Sequence, residues 1–126
     1  ELPGADYASN VIRRTFPRGL DAAALTAEAL ERAGRLGVSP KSREHVTWFI
    51  SRERPELFVS HSVEDAENNS DLRWTVDTPE DLEGVRRIYR GLGLGDRDVP
   101  YREVLAYVRS RPDLAALNEK VTQKDA

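Results

Sequence analysis

The feature that most constrains the fold of this sequence is the stretch over residues 72–88, LRWTVDTPEDLEGVRRI. A short β-prone run over residues 73–76 stops at Asp77. Thr78 can then cap a helix that begins at Pro79, because proline lacks the N–H that would be unsatisfied at that position. The pattern predicts a strand, a turn and a helix. It places Asp77 at the carboxyl end of the strand, where open α/β sheets bind ligands.

The helix predicted from Pro79 has one apolar face with helical spacing, formed by Leu82, Val85, Ile88, Tyr89 and Leu92. Asp81 lies three residues after Thr78, at the position that a capping box usually fills with Glu or Gln. A glycine-rich run over residues 91–95 ends this helix. Because that run follows a helix and not a strand, its glycines do not indicate a phosphate-binding loop.

The rest of the sequence predicts an α/β domain of short elements. Strands are predicted over residues 5–12, 20–25 and 57–63. Helices are predicted over residues 27–36, 40–52, 100–109 and from 112 to at least 117. Thr26 and Gly37 bound the first of these helices, with Leu30, Ala33 and Leu36 on one face. Phe16-Pro17-Arg18-Gly19 has the composition of a turn.

Composition excludes several classes of protein. The 126 residues suit a single domain, and the net charge of -3 gives no basic face for nucleic acid. There is no cysteine, which excludes disulfides and thiolate metal sites. No apolar run approaches the ~20 residues that a membrane span needs, and no signal peptide heads the sequence. These features predict a cytoplasmic protein without a membrane partner.

Three motifs resemble one enzyme family in order and spacing. Residues 73–82, RWTVDTPEDL, closely resemble the C-terminal motif of the cytidylyltransferases that activate sugar acids, in particular the spore-coat polysaccharide biosynthesis branch. Residues 6–21, DYASNVIRRTFPRGLD, resemble the DYxSN…RTxPxGLD segment of that branch, and residues 43–47, REHVT, resemble its REHVTP segment. The resemblance covers the C-terminal part of the family, because nothing here is similar to its N-terminal strand and nucleotide loop.

The resemblance implies a fold and a reaction. Residues 1–126 are expected to form a single domain, the C-terminal portion of a three-layer α/β/α nucleotide-diphospho-sugar transferase-like fold with a few short strands and four to five helices. The implied reaction transfers a cytidylyl group from CTP to a sugar acid in surface polysaccharide biosynthesis. The family also implies a homodimer. Without the nucleotide-binding half, we expect no turnover from these residues alone.

Asp77 is the candidate metal ligand. A carboxylate at the end of a strand can supply one ligand to Mg²⁺, which prefers oxygen and often bridges substrate phosphates. The resemblance implies this role, with a second aspartate from the N-terminal half that is not in this sequence. The alternative is a structural aspartate that the macrodipole favours near the start of a helix.

The candidate sugar-facing residues are Asn10, Arg14, Thr15 and Asp21, which fall in the segment that faces the acceptor in the family. A guanidinium at Arg13 or Arg14 can bind the carboxylate of an acidic sugar through two hydrogen bonds. The alternative is a polar loop that its own turns hold in place. The family commonly has Glu two positions after the aspartate, where this sequence has Ala23, so a paired-carboxylate role is in doubt.

Arg43 and His45 complete the candidate substrate-binding set. Histidine is the usual group for proton transfer near neutral pH, but His45 beside Val46 also suits a hydrogen-bonded packing role. Trp48 stands where the family usually has proline, which predicts that the helix continues straight through this point. A competing interpretation of the whole sequence is a non-catalytic binding or dimerisation module derived from such an enzyme.

Overall fold

The computed structural model describes residues 4–122 and confirms the α/β class, with three short strands and five α-helices in that range. These residues pack into two compact units. The first comprises residues 4–15 and Asp21–Glu67, and the second comprises Phe16–Leu20 and residues 68–122. Each unit has its own apolar core. The expectation of a single domain over residues 1–126 stays a prediction.

The first unit is built on a three-stranded sheet of β1 (Tyr7–Ser9), β2 (Ala23–Leu25) and β3 (Ser60–Ser62). The order is β2-β1-β3, with β1 antiparallel to β2 and parallel to β3. The strands predicted over residues 5–12, 20–25 and 57–63 are present, each shorter than its pattern suggested. Parallel pairing of β1 with β3 requires a long crossover, and the helices of this unit supply it.

Helix α1 (Ala27–Leu36) begins and ends where the sequence predicts. The Thr26 hydroxyl accepts from the backbone N–H of Ala29, and Gly37 N–H donates to the carbonyl of Ala33. The predicted apolar face of α1 is wrong for Leu30 and Leu36, which are 47% and 43% exposed, and correct for Ala33, which is buried. The buried side carries small alanines instead, and it packs into a core of Tyr7, Ala29, Ala33, Phe49, Ile50 and Phe58.

The predicted helix over residues 40–52 is wrong, because it breaks in two. Helix α2 (Pro40–Glu44) ends at His45, whose backbone is extended with φ −117° and ψ 109°. A π-helical turn, Phe49–Glu53, follows it and buries Phe49 and Ile50. The break turns these two side chains into the core, and Val46 on the connecting segment is left exposed. Trp48 therefore does not continue a straight helix.

The second unit contains α3 (Pro79–Leu92), α4 (Tyr101–Arg109) and α5 (Pro112–Ala116). Their apolar faces meet in a core of Leu72, Ile88, Leu92, Leu105, Val108 and Leu114. Helix α3 ends at Gly93, which has the left-handed φ of +65° and donates to the carbonyl of Tyr89. Among residues 4–122, none of the helices combines the length and the apolar character that crossing a membrane requires.

The strand predicted over residues 73–76 is reduced to a single parallel bridge between Arg18 and Arg73. Arg18 N–H donates to the carbonyl of Leu72 at 2.9 Å, and Trp74 N–H donates to the carbonyl of Arg18 at 2.7 Å. The pairing ends there because Gly19 turns away with φ +109°. A Cβ at Gly19 would lie 2.5 Å from the carbonyl oxygen of Trp74, so the close approach of the two segments requires glycine.

Candidate functional site

Asp77 lies four residues after Arg73 of the Arg18–Arg73 bridge and immediately before Thr78, the cap of α3. Its side chain is 63% exposed. The Thr78 hydroxyl accepts from the backbone N–H of Asp81 at 3.2 Å, and Pro79 occupies the first turn, as the sequence predicts. The carboxylate of Asp77 is therefore presented to solvent beside a helix N-terminus, although no regular strand leads to it.

Asp81, which the sequence suggested only as a capping residue, is the centre of a buried polar network. Its side chain has no exposed surface. The carboxylate accepts five hydrogen bonds: from Arg73 Nε and Nη2 at 3.0 Å each, Thr75 Oγ1 at 3.2 Å, the Asp77 backbone N–H at 3.0 Å and Asn118 Nδ2 at 2.7 Å. Asn118 also donates to the carbonyl of Arg73. We refer to these five residues as the Asp81 network.

Sequence reasoning missed this network, although one signal pointed to it. Asp81 lies three residues before Gly84 and seven before Ile88, so it shares their side of α3. Both of those residues are buried. A carboxylate in register with a buried face needs a cationic partner, because an unpaired buried charge is strongly unfavourable.

The environment of Asp81 keeps its carboxylate ionised. Burial by itself raises the pKa of the Asp81 carboxyl, but the hydrogen bonds from Arg73, the Asp77 backbone and Asn118 outweigh it and hold that pKa well below its usual range. The hydrogen bond to Asp81 in turn raises the pKa of Arg73. The two side chains thus form a charged, buried ion pair near neutral pH.

Arg73 also links this ion pair to the candidate metal ligand. Its Nη2 lies 3.0 Å from Asp77 Oδ2 and 3.0 Å from Asp81 Oδ2, while its Nε donates to Asp81 Oδ1. One guanidinium therefore serves two carboxylates, one buried and one exposed. The three side chains together carry a net negative charge, and the exposed part of that charge lies on Asp77.

Asp77 fits one position in the coordination of Mg²⁺. Among residues 4–122, no three His, Cys, Asp or Glu side chains are grouped closely enough to hold a metal ion. Mg²⁺ commonly binds through one or two carboxylates plus water and substrate phosphates, so a single exposed carboxylate suits a shared site. The oxygen donor of Asp77 matches the ligand preference of this ion.

In the first unit, Arg14 and Asp21 are brought together. Arg14 Nη1 and Nη2 donate to the two carboxylate oxygens of Asp21 at 3.0 and 3.1 Å. Asn10 Oδ1 accepts from the Ala22 N–H at 2.9 Å, next to Asp21. Thr15 is buried and its hydroxyl accepts from the Asp65 N–H at 2.8 Å. These hydrogen bonds hold the segment between β1 and β2 in place, and Arg14 already binds a carboxylate in the two-bond geometry predicted for a sugar acid.

The remaining two candidates, Arg43 and His45, lie at the end of α2. Arg43 is exposed in the last turn, and His45 caps the helix through its backbone N–H. The His45 ring lies 6.4 Å from the Trp48 ring, and the Lys41 ammonium lies 4.5 Å from the same ring. Trp48 therefore packs sideways against these neighbours. This arrangement agrees with the packing interpretation of His45.

Comparison with known proteins gives one relative by sequence and one solved structure with a similar fold. No family model matches the sequence. An uncharacterised protein of Methanocaldococcus jannaschii is 30% identical over 121 residues, which span 94% of this chain and 47% of that protein. A cytidylyltransferase from Leptospira borgpetersenii serovar Hardjo-bovis has a similar structure, with a TM-score of 0.81 and 22% identity over 99% of this chain and 50% of its own. The chain thus has the fold of part of that enzyme and spans about half the length of both proteins.

Proposed function

We propose that this protein takes part in transferring a cytidylyl group from CTP to a sugar acid, with release of pyrophosphate, in surface polysaccharide biosynthesis. The observation that carries the proposal is the structural match, with a TM-score of 0.81, of nearly the whole chain to about half of a cytidylyltransferase. The three sequence motifs support the same reaction. Their resemblance to the family also implies a sugar acid as the acceptor, a role in surface polysaccharide biosynthesis and a homodimer.

In this proposal Asp77 supplies one ligand to Mg²⁺ through its exposed carboxylate. Bound there, the ion would neutralise charge on the phosphates of CTP and orient the reacting oxygens. Among the described residues, no three His, Cys, Asp or Glu side chains are grouped to hold a metal ion, and the neighbouring carboxylate of Asp81 has no exposed surface. The second ligand and the nucleotide loop would come from a further part of the protein or from another chain.

The first unit would provide the wall that faces the acceptor. A guanidinium that binds a carboxylate through two parallel hydrogen bonds recognises both its charge and its planar shape. Arg14 makes this interaction with Asp21, so a sugar acid would compete with Asp21 for it. Arg13 offers a second guanidinium, which is 80% exposed and lies 3.6 Å from Glu64.

Binding of the acceptor can be tested on the 126-residue chain by amide chemical-shift mapping. A 2-keto sugar acid should shift resonances within residues 10–21, whereas the matching neutral sugar should not. Arg14→Gln should abolish the shifts, and Arg35→Gln, a control on the exposed last turn of α1, should leave them unchanged. Equal shifts with the neutral sugar, or shifts confined to other residues, would contradict the proposed acceptor site.

Catalysis is tested by a CTP-dependent assay of pyrophosphate release. We expect no turnover from the 126-residue chain alone, because it offers one candidate metal ligand, Asp77, and nothing in its sequence resembles the N-terminal nucleotide loop of the family. Clear Mg²⁺-dependent release that Asp77→Ala abolishes would show that these residues suffice for catalysis. That result would overturn the proposed need for a second half.

A second candidate function is a non-catalytic binding or dimerisation module. It is favoured by several large apolar side chains that the first unit leaves exposed, among them Val38 at 75%, Val46 at 63% and Val59 at 59%. Apolar surface of this kind is typical of sites that bind other proteins when it is contiguous. Sedimentation equilibrium should detect a homodimer, and a monomer at all accessible concentrations would contradict the predicted assembly.

A further inference from the structure

We infer that Asp81 is a positioning residue for Asp77, which it keeps available to a cation by binding the guanidinium of Arg73. The inference rests on the proposed role of Asp77 as a ligand of Mg²⁺. It concerns a residue that never touches the ion, because Asp81 has no exposed surface and all its hydrogen bonds lie within the protein.

Arg73 is shared unequally between the two carboxylates. Asp81 accepts hydrogen bonds from Nε and Nη2 of Arg73, whereas Asp77 accepts one from Nη2 only. The Arg73 side chain is 7% exposed, so water does little to screen its charge. The buried carboxylate of Asp81 is therefore the main partner that neutralises it.

Loss of the Asp81 charge would change the charge balance around Arg73. Asp77 would become the carboxylate of this network that balances Arg73, and its Oδ2 already lies 3.0 Å from Nη2. Oδ2 accepts from Nη2 in either case, but a guanidinium balanced by Asp77 alone would cancel the negative charge that attracts a cation. Asp81 also accepts from the backbone N–H of Asp77, so it holds the backbone of the proposed ligand in place as well.

The test uses Mn²⁺ as a paramagnetic probe and follows the broadening of the Asp77 and Thr78 amide resonances in the 126-residue chain. The isosteric change Asp81→Asn should require about 10- to 100-fold more Mn²⁺ for the same broadening, the range typical of changes behind a metal ligand. The double change Arg73→Gln with Asp81→Asn removes both charges and should restore binding to the level of the unchanged chain.

Two controls separate this inference from the proposed function. Asp77→Asn should abolish the local broadening, and if it does not, the metal role of Asp77 fails. Asp71→Asn changes another carboxylate of the second unit that is paired with an arginine, Arg109, and it should have no effect.

The inference is overturned if Asp77→Asn abolishes broadening while Asp81→Asn binds Mn²⁺ like the unchanged chain. It is also overturned if the double variant is folded but still binds weakly. Should Asp81→Asn fail to fold, as its amide spectrum would reveal, the double variant decides the question. If the double variant shows the broadening at the Mn²⁺ concentration that broadens the unchanged chain, the role of Asp81 is supported.

Discussion

At the scale of single residues, the carboxylate of Asp81 is a buried charge that the second unit must neutralise and hydrogen-bond. A charge removed from water is tolerated when it is paired and when its remaining hydrogen-bonding capacity is filled, and Asp81 meets both conditions with five hydrogen bonds. The bonds come from both sides of the sequence, from residues 73–77 and from Asn118. The side chain thus connects the segment before α3 to Asn118, two residues after α5.

Removing this carboxylate should destabilise the protein strongly. Asp81→Ala leaves Arg73 buried without its main partner, and we expect a loss of about 3–5 kcal/mol in the free energy of unfolding. Urea denaturation at neutral pH measures the change. Asp71→Ala is the matched control, since its ion pair with Arg109 is 63% exposed on the carboxylate side and should cost at most about 1 kcal/mol. Similar losses for the two variants would contradict the structural role of Asp81.

The same carboxylate should make stability depend on pH. Because the pKa of Asp81 is lower in the folded protein than in the unfolded chain, the group stabilises the fold above its unfolded pKa of about 3.9. That contribution is lost as the pH falls below this value toward the folded pKa. The difference in unfolding free energy between the unchanged chain and Asp81→Asn should therefore be largest near pH 7 and shrink below about pH 4. Urea titrations across this range would contradict the prediction if the difference stayed constant.

Gly19 should tolerate no side chain. Its φ of +109° is unfavourable for other residues, and a Cβ would collide with the Trp74 carbonyl, so we expect Gly19→Ala to cost about 1–3 kcal/mol. Gly95 has no neighbour within 4 Å of such an atom, and Gly95→Ala should leave stability nearly unchanged. Thermal unfolding of both variants measures the contrast. An equal effect of the two substitutions would refute the close approach at Gly19.

At the scale of elements, α1 offers two glycines with opposite expectations. Gly34 lies inside the helix with open space around its Cβ position, so Gly34→Ala should stabilise the protein by about 0.5–1 kcal/mol. At Gly37 an added Cβ would lie 2.7 Å from the Ala33 carbonyl oxygen, and Gly37→Ala should destabilise by about 1–3 kcal/mol. Chemical denaturation of the two variants gives the signs, and a stabilising Gly37→Ala would be inconsistent with this helix end.

The helix termini could be predicted from sequence because capping is local. Thr26 and Thr78 each bind the N–H three residues ahead, and the composition of neighbouring residues suffices to identify them. The buried sides of helices depend on residues distant in sequence. That is why the leucines of α1 were placed inward and why the break at His45 was missed. Both outcomes depend on how Phe49 and Ile50 pack, which no local pattern contains.

The candidate site was predictable to a similar extent. The position of Asp77 before a capped helix follows from its neighbours, and the structure confirms that position. The partners of Arg14 and Asp81 could not be predicted from spacing, since each hydrogen bond depends on the folded path of the backbone. For Arg14, the carboxylate within reach proved to be Asp21, seven residues away in the same segment.

At the scale of the whole molecule, the single-domain prediction can be tested with the two tryptophans, because Trp48 lies in the first unit and Trp74 in the second. Trp48→Phe leaves a fluorescent reporter for the second unit, and Trp74→Phe leaves one for the first. If residues 1–126 form one cooperative domain, urea unfolding followed by the remaining fluorophore and by circular dichroism should give coincident midpoints within each variant. Separate transitions would contradict the single domain.

The segment Phe16–Leu20 packs in the second unit although the residues on both sides of it belong to the first. Neither unit is therefore a continuous stretch of sequence, and no single cut in the gene separates them. During synthesis the segment leaves the ribosome long before its hydrogen-bonding partners at Leu72 and Trp74, so these bonds can form only after residue 74 has been made. Cleavage between residues 20 and 21 would produce two fragments, each of which contains part of both units. Neither fragment alone would contain all the residues of either unit.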